Sequence, residues 1–300
     1  MIDRLHDIVA RRISALGLEP SDLLERDFPG TLGRPGSVSL NGSCRLLKAA
    51  DGWLALNLSR PDDLDVLPAL VGEEGASWDA AERVAAASPA GHFRDRAAEL
   101  QLPVAVLGET QPQPLAKFRR DHLPGKVVDL SALWAGPLCA GLLARAGATV
   151  FRVESLGRPD PTRVHSPVLD SRLNAGKIAV PLDLRLAEGR AALADLLAEA
   201  DAVVTSARPA ALMRLGISPD VFPHLTWVAI TGHGFSGAQS QRVGFGDDCA
   251  VAGGLVHWNN GQPAFLGDAL ADPLTGFEAA QAVLAGGRGL LDMAMARIAA

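Results

Sequence analysis

Three groups of residues have types and spacing that invite chemistry. The run Gly232-His233-Gly234-Phe235-Ser236-Gly237 spells G-x-G-x-x-G directly after an apolar stretch, the form of a dinucleotide fingerprint. Such a fingerprint opens an apolar helix whose N-terminus meets a pyrophosphate. Here Ala238-Gln239-Ser240-Gln241-Arg242-Val243-Gly244 follows, polar and broken by glycine, so a turn-rich loop at a sheet edge fits better. Ser236 lacks the glycine two residues later that a hydrolase nucleophile elbow requires. Asp247-Asp248 are an acidic pair in a glycine-rich loop, expected as a solvated turn. The seven histidines are scattered without an HxxxH pair. Cys44, Cys139 and Cys249 lie far apart without CxxC, so spacing predicts neither metal ligands nor a disulfide framework.

Asp272 is the third group. Ala271-Asp272-Pro273-Leu274-Thr275-Gly276 reads as a helix start, with aspartate at the N-cap and proline at the first helical position. A helix N-terminus favours an ionised carboxylate, the form a nucleophile needs. Capping and catalysis are compatible, and the local pattern leaves both open.

These residues need elements to hold them. After residue 120, Lys126–Leu130, Thr149–Glu154, Asp201–Thr205 and Trp227–Thr231 read as buried strands. They alternate with helical stretches at Pro137–Ala146 and Gly189–Ala200. Strands alternating with helices predict an α/β architecture, a Rossmann-like open and mostly parallel sheet. Such a sheet binds ligands beyond its strands' carboxyl ends, which singles out the loops 131–137 and 232–237. The N-terminal part differs. Residues 1–30 open with a helical stripe, Gly52–Leu58 and Leu102–Leu107 read as short strands, and acidic, alanine-rich helices fill 62–100. With Gln111-Pro112-Gln113-Pro114 as the linker, the expected division is a small α+β domain over 1–115 and a large domain over 116–300.

Composition sets the outer limits. With 48% apolar and 21% charged residues over 300 positions, the chain is long and apolar enough for a full core, which excludes a disordered chain. A net charge of -6 offers nothing to draw a polyanion, so no nucleic-acid partner is expected. No signal core and no unbroken apolar run of membrane-spanning length is present, so no membrane partner and a cytoplasmic address are expected.

Several short motifs follow one another along the chain after residue 120. Val127-Val128-Asp129-Leu130-Ser131 precedes Ala135-Gly136-Pro137, followed by Gly147-Ala148-Thr149-Val150, Val153-Glu154 and Asp160-Pro161-Thr162-Arg163. Leu173-Asn174-Ala175-Gly176-Lys177 then leads into Val180-Pro181-Leu182-Asp183-Leu184. Arg208-Pro209, Arg214-Leu215-Gly216, Ile230-Thr231-Gly232-His233-Gly234, Gly287-Arg288-Gly289 and Asp292-Met293 complete the series. Together, over residues 124–293, they resemble the family III CoA-transferases (the CaiB/BaiF family), which also contains α-methylacyl-CoA racemases. The resemblance implies that Asp272, four residues before Gly276, holds the place of the family's catalytic aspartate. In the family this carboxylate attacks an acyl-CoA to form a mixed anhydride, becomes an aspartyl-CoA thioester, and yields the CoA to an acceptor acid. It implies CoA contacts at Leu133, Trp134, Ala135, Leu182, Ser206, Ala207 and Arg214, the last with a CoA phosphate. It also implies an interlinked homodimer that uses coenzyme A and acyl-CoA as substrates, with no permanently bound cofactor.

Two departures refine this expectation. Family racemases use a histidine as partner base, and the matching stretch Val243-Gly244-Phe245-Gly246-Asp247 carries a phenylalanine there. Phenylalanine moves no proton, so transferase chemistry is favoured over a racemase or epimerase. Segments resembling the family's small domain, Lys48–Leu56 and Leu102–Val106, precede the large one, and the chain ends just after Asp292-Met293. This order suggests a circularly permuted or half-length relative, with a non-catalytic acyl-CoA-binding subunit as the alternative.

Overall fold

The computed structural model describes residue 26, residues 35–114 and residues 122–300. The helical stripe expected over residues 1–30 lies outside the described residues except for Arg26. The first unit pairs β1 (Cys44–Lys48), β2 (Trp53–Asn57) and β3 (Val104–Val106) in one antiparallel sheet, order β1-β2-β3. Helices α1 (Pro61–Val71), α2 (Trp78–Ala86) and α3 (Ala90–Glu99) cover one face. They bury Leu47, Leu54, Leu56, Leu67, Leu70 and Phe93 in a core of their own.

The remaining elements follow in order: β4 (Lys126–Leu130), α4 (Ala135–Ala146), β5 (Thr149–Ser155), α5 (Thr162–His165), α6 (Pro167–Asn174), β6 (Ile178–Leu182), α7 (Ala187–Ala198), β7 (Ala202–Thr205), α8 (Pro209–Arg214), β8 (Thr226–Thr231), α9 (Gly246–Ala252), β9 (Val256–Asn259), β10 (Gln262–Phe265), α10 (Ala271–Leu284), β11 (Leu290–Ala294) and α11 (Met295–Ile298). Six strands form one wholly parallel sheet, order β11-β8-β7-β4-β5-β6. In chain order from β4 this is the 3-2-1-4-5-6 arrangement of doubly wound folds, whose connection reverses direction between β4 and β7.

The four expected strands of this sheet are its central ones. The loop after β8 proves to lie at the sheet's carboxyl end rather than on an edge strand, because β11 flanks β8. The antiparallel hairpin β9–β10 was not anticipated. Its turn is Asn260-Gly261, with φ of +48° and +78°, the pairing that a tight hairpin with two left-handed residues favours.

The other face of the three-stranded sheet packs on the parallel-sheet region. Cys44, Leu46 and Ala55 meet Val251 of α9 with Val256 and Phe265 of the hairpin. Asn57 donates to Asp248 at 2.9 Å, and the Gly108 and Thr110 amides donate to the Val251 and Ala252 carbonyls. The Gln111–Pro114 segment is irregular, as its composition suggests, and the Gln113 amide reaches the Arg297 carbonyl. Among the described residues no helix is long and apolar enough to cross a membrane.

One buried ion pair organises the sheet's centre. Lys177 Nζ donates to Asp129 Oδ2 at 2.7 Å, the Pro137 carbonyl at 2.8 Å and Asn174 Oδ1 at 3.0 Å, with both charged side chains essentially sealed from water. Burial pushes the Lys177 ammonium below its ordinary value, and Asp129 opposes this. Three motifs that sequence comparison reads as labels are therefore one structural joint between β4, α4 and α6. Lys177→Met, which leaves Asp129 buried and unpaired, is expected to cost about 3–5 kcal/mol in urea denaturation. A loss below about 1 kcal/mol would show that Asp129 finds another partner.

Candidate active site

The loop leaving β4 carries the site, and its amides are fixed one by one. Asp129 Oδ1 accepts from the Ser131 amide at 3.0 Å and from the Ser131 hydroxyl. Ser206 Oγ, at the end of β7, accepts from the Ala132 amide at 3.0 Å, across the point where the connection reverses. Asp160 Oδ2 accepts from the Leu133 amide at 3.1 Å and is itself held by Arg152 at 3.1 Å, a buried arginine on β5. Leu133 has a φ of +70°, the left-handed region that costs a side chain about 1–2 kcal/mol. Gly136 has no such freedom to spare: a Cβ there would lie 2.2 Å from Ser131 Cβ. The loop thus enters α4 on a single tightly specified path.

That path delivers the Ala135 amide, in the first turn of α4, to the Asp272 carboxylate. Gly276 makes the approach possible. It lies one turn beyond Asp272 on the same face of α10, and a Cβ there would sit 2.5 Å from the Ala135 carbonyl oxygen and 2.9 Å from Leu138 Cβ. The first turn of α4 therefore brings the Ala135 amide to a carboxylate that itself sits in the first turn of α10, an arrangement that favours a negative charge.

Asp272 does not occupy the N-cap that the local sequence suggests. Leu270 is the N-cap, without a side-chain cap bond, and Asp272 lies in the first helical turn. The helix starts early because the preceding loop is pinned. Asp247 Oδ1 accepts the Ala269 amide at 2.9 Å, Ala269 turns left-handed at φ +46°, and its carbonyl accepts the Asp272 amide at 2.8 Å.

Nor is Asp247-Asp248 a solvated turn. Both side chains are buried in the first turn of α9, because the apolar run Cys249–Ala252 behind them draws the helix into the core. Gly246, just before them, touches Asp272 most intimately: a Cβ there would lie 2.2 Å from Asp272 Oδ2 and 2.4 Å from the Ala269 carbonyl oxygen. Phe245 is the N-cap residue of α9, and its amide donates to Asp248 Oδ1 at 3.0 Å.

A single described cation faces this group of carboxylates. Arg26 forms a two-pronged ion pair with Asp268, and its guanidinium lies 5.3 Å from the centre of the Trp134 ring. Burial pushes the Asp272 carboxyl up to about 7. Arg26 and the Ala135 amide pull it down, while Asp268 and Asp248 push it further up. Burial likewise raises Asp247 and Asp248 to about 7 each. Nothing local in the sequence marks Arg26, Asp268 or Gly246 as neighbours of Asp272; they meet only through tertiary structure.

The expected CoA contacts divide into three places. Leu133, Trp134, Ala135, Ser206 and Ala207 gather at the reversal between β4 and β7, with Leu133 and Ser206 exposed. Trp134 and Ala135 are buried as whole residues, main chain included, so within this loop Leu133 is the part open to a ligand. Leu182 ends β6, two strands from β4 and so about 10 Å away. Arg214 is the exposed last residue of α8, about 9 Å along that helix from its start beside Ser206.

Gly246→Ala tests the geometry without removing a functional group. Its new methyl displaces the Asp272 carboxylate, and for the catalytic role proposed below at least about a 100-fold loss of turnover is expected, consistent with the cost of a misplacement near 1 Å. Near-normal turnover would show that Asp272 Oδ2 has no need of this position.

Comparison with known proteins gives the family. Residues 125–289 match the model of CoA-transferase family III. An acyl-CoA transferase of Fusarium pseudograminearum is 32% identical over 50% of this chain and 38% of its own. The human succinyl-CoA:glutarate CoA-transferase is 30% identical over 54% and 40%. The chain therefore spans about 40% of the length of these relatives. The crystal structure of a CAIB/BAIF family protein from Brucella suis superposes with a TM-score of 0.51 at 26% identity, covering 62% of this chain and 55% of the other. The match runs from the first strand of the parallel sheet to the turn before its last, more than half of the residues, and the chain belongs to CoA-transferase family III.

Proposed function

We propose that this protein is a CoA-transferase that moves CoA from an acyl-CoA thioester to a carboxylic acid, with Asp272 as the nucleophile. The observation that carries this reading is the half-buried Asp272 carboxylate, set in the first turn of α10 and receiving the first-turn Ala135 amide of α4. One carboxylate oxygen attacks the thioester carbonyl and expels CoA as its thiolate, leaving an acyl-aspartyl anhydride. The thiolate then attacks the Asp272 carbonyl, releasing the acyl group as a carboxylate and leaving an aspartyl-CoA thioester. The acceptor carboxylate reverses these steps and restores Asp272.

Each step places negative charge on an oxygen at the same spot. The preset Ala135 amide and the two helix starts suit that need, since donors already in place cost no reorganisation. A carboxyl near pH 7 is half ionised at neutral pH and more basic than an ordinary aspartate. The exposed Leu133–Ser206 end of the sheet supports the nucleotide side of the thioester, with Leu182 and Arg214 further along.

Racemisation is not favoured, because Phe245 caps α9 where a second base would be needed. The reading includes a division at residue 115, a homodimer and a cytoplasmic setting.

The test is chemical trapping. The protein is incubated with a panel of acyl-CoAs, treated with hydroxylamine, and the modified peptide identified by mass spectrometry. A hydroxamate at Asp272, absent from Asp272→Ala, is expected. Tight acyl-CoA binding with no adduct from any donor would overturn the reading in favour of a non-catalytic binding subunit.

A further inference from the structure

Beside the carboxylate group, on the far side of α9's first turn, lies a set of donors that the transfer chemistry does not use. A ring nitrogen of His233, a carboxylate oxygen of Asp248 and Cys249 Sγ lie within 4.8 Å of one another. His233 comes from the loop after β8, while Asp248 and Cys249 are adjacent in α9. Asp248 Oδ1 is already taken by Asn57 and the Phe245 amide, whereas Oδ2 faces the thiol at 3.9 Å. His233 Nε2 is buried with no hydrogen-bond partner among the described residues, a costly state for a ring nitrogen.

A glycine stands where any side chain would crowd these atoms. A Cβ on Gly244 would lie 2.6 Å from Cys249 Sγ, 3.1 Å from Gly232 Cα and 3.2 Å from His233 Nε2. We propose that His233, Asp248 and Cys249 form a binding site for one borderline-soft divalent metal ion of the zinc type, with Gly244 providing its room.

The donor set selects the class. One thiolate, one imidazole and one carboxylate suit zinc or cobalt and are wrong for magnesium or calcium, which take oxygen alone. Bond lengths near 2.0–2.3 Å put tetrahedral ligand atoms about 3.2–3.7 Å apart, so the three must close by roughly 1 Å around the ion. Charge also balances. The thiol and any protonated Asp248 carboxyl release their protons on binding, and a divalent ion with one thiolate and one carboxylate is neutral, the state a buried site tolerates. The nearby Arg94 and Arg242 are matched by two carboxylates, Arg94 by Asp95 and Glu109 at 2.6 Å each and Arg242 by Glu109 at 2.7 Å. Asn57 orients the carboxylate from behind, the kind of support metal ligands generally have. Sequence spacing hides this set, because His233 is remote from the Asp248-Cys249 pair. The site is independent of the transfer reading and is tested without reference to activity.

The probe is cobalt(II), added to chelator-treated full-length protein and followed by absorbance and bound-metal analysis. One equivalent is expected, with a near-ultraviolet thiolate-to-cobalt band that zinc displaces. Cys249→Ser should lose the band, Cys44→Ser should keep it, and Asn57→Ala should weaken binding about 10–100-fold. His233→Gln, on a loop and less exposed to folding failure, should weaken it at least 100-fold. No stoichiometric uptake by the wild type, a band that survives Cys249→Ser, or full affinity in His233→Gln would each overturn the proposal.

Discussion

Asp272→Asn is expected to lower CoA-transfer turnover by at least about 1,000-fold while the protein becomes more stable at neutral pH. The first effect follows from the proposed role, since an amide keeps the shape and cannot form the anhydride. The second follows from burial. The carboxyls of Asp247, Asp248 and Asp272 all rise from 3.8 to about 7 in the folded chain. Between about pH 4 and 7 the folded chain therefore holds protons that the unfolded chain has released, and stability falls as pH rises through that window. Removing one of the three ionisations makes this fall shallower. Thermal melts of both proteins at pH 5 and 8 give the comparison, with the variant gaining relative to wild type at pH 8. Equal melting profiles would refute the desolvated carboxyl, and residual turnover within tenfold of wild type would refute its role as nucleophile.

Arg26→Met is expected to move the acid limb of the transferase pH profile upward. Arg26 is the described cation that opposes the burial of Asp272, so its loss raises the pH at which the nucleophile ionises. On that limb each unit of displacement lowers the rate about tenfold at fixed pH. The variant also strands Asp268, which is almost wholly buried against Arg26, at a cost of about 3 kcal/mol. Asp268→Asn in the same chain should recover much of both losses, because Asp268 pushes the Asp272 carboxyl up while Arg26 pulls it down. A merely structural Arg26 would lower stability and leave the pH profile in place. The measurement is kcat/KM across pH 5 to 9 for the single and double variants, and an unmoved acid limb in the single variant would sink the assignment.

How far the sequence reached depended on where each element sits. Strands β4, β7 and β8 are covered on both faces and read as unbroken apolar runs such as Ala202-Val203-Val204. β6 and β11 close the two edges of the sheet, with Ile178 and Leu290 exposed, so their patterns are mixed and were read only as family motifs. β1 is short and depends on β2 for its pairing. The Asn260-Gly261 turn is the local sequence signal of the β9–β10 hairpin.

Asp272 was legible because helix starts have local signatures, though its position within the turn was not, since Asp247 sets that from a distance. The burial of Asp247 and Asp248 is hidden from the local sequence for a related reason. Glycines just ahead of a charged pair look like a surface turn, whereas here Gly244 and Gly246 make room for neighbouring side chains. Arg26, Asp268 and the closeness of His233 to Cys249 are contacts between segments remote in sequence, which no spacing rule reports.

The left-handed residues Leu133 and Ala269 sit on the two loops that enter α4 and α10, and each carries a side chain where glycine would rest more easily. This has a consequence for evolution in the laboratory. Selection for heat resistance alone would be drawn to these two positions, where glycine relieves about 1 kcal/mol of backbone strain. Each such gain would also slacken one of the two loops that bring Ala135 to Asp272. Thermal robustness and turnover are thus set against each other at two identifiable residues, and a library aimed at both traits together should hold 133 and 269 fixed and search for stability elsewhere.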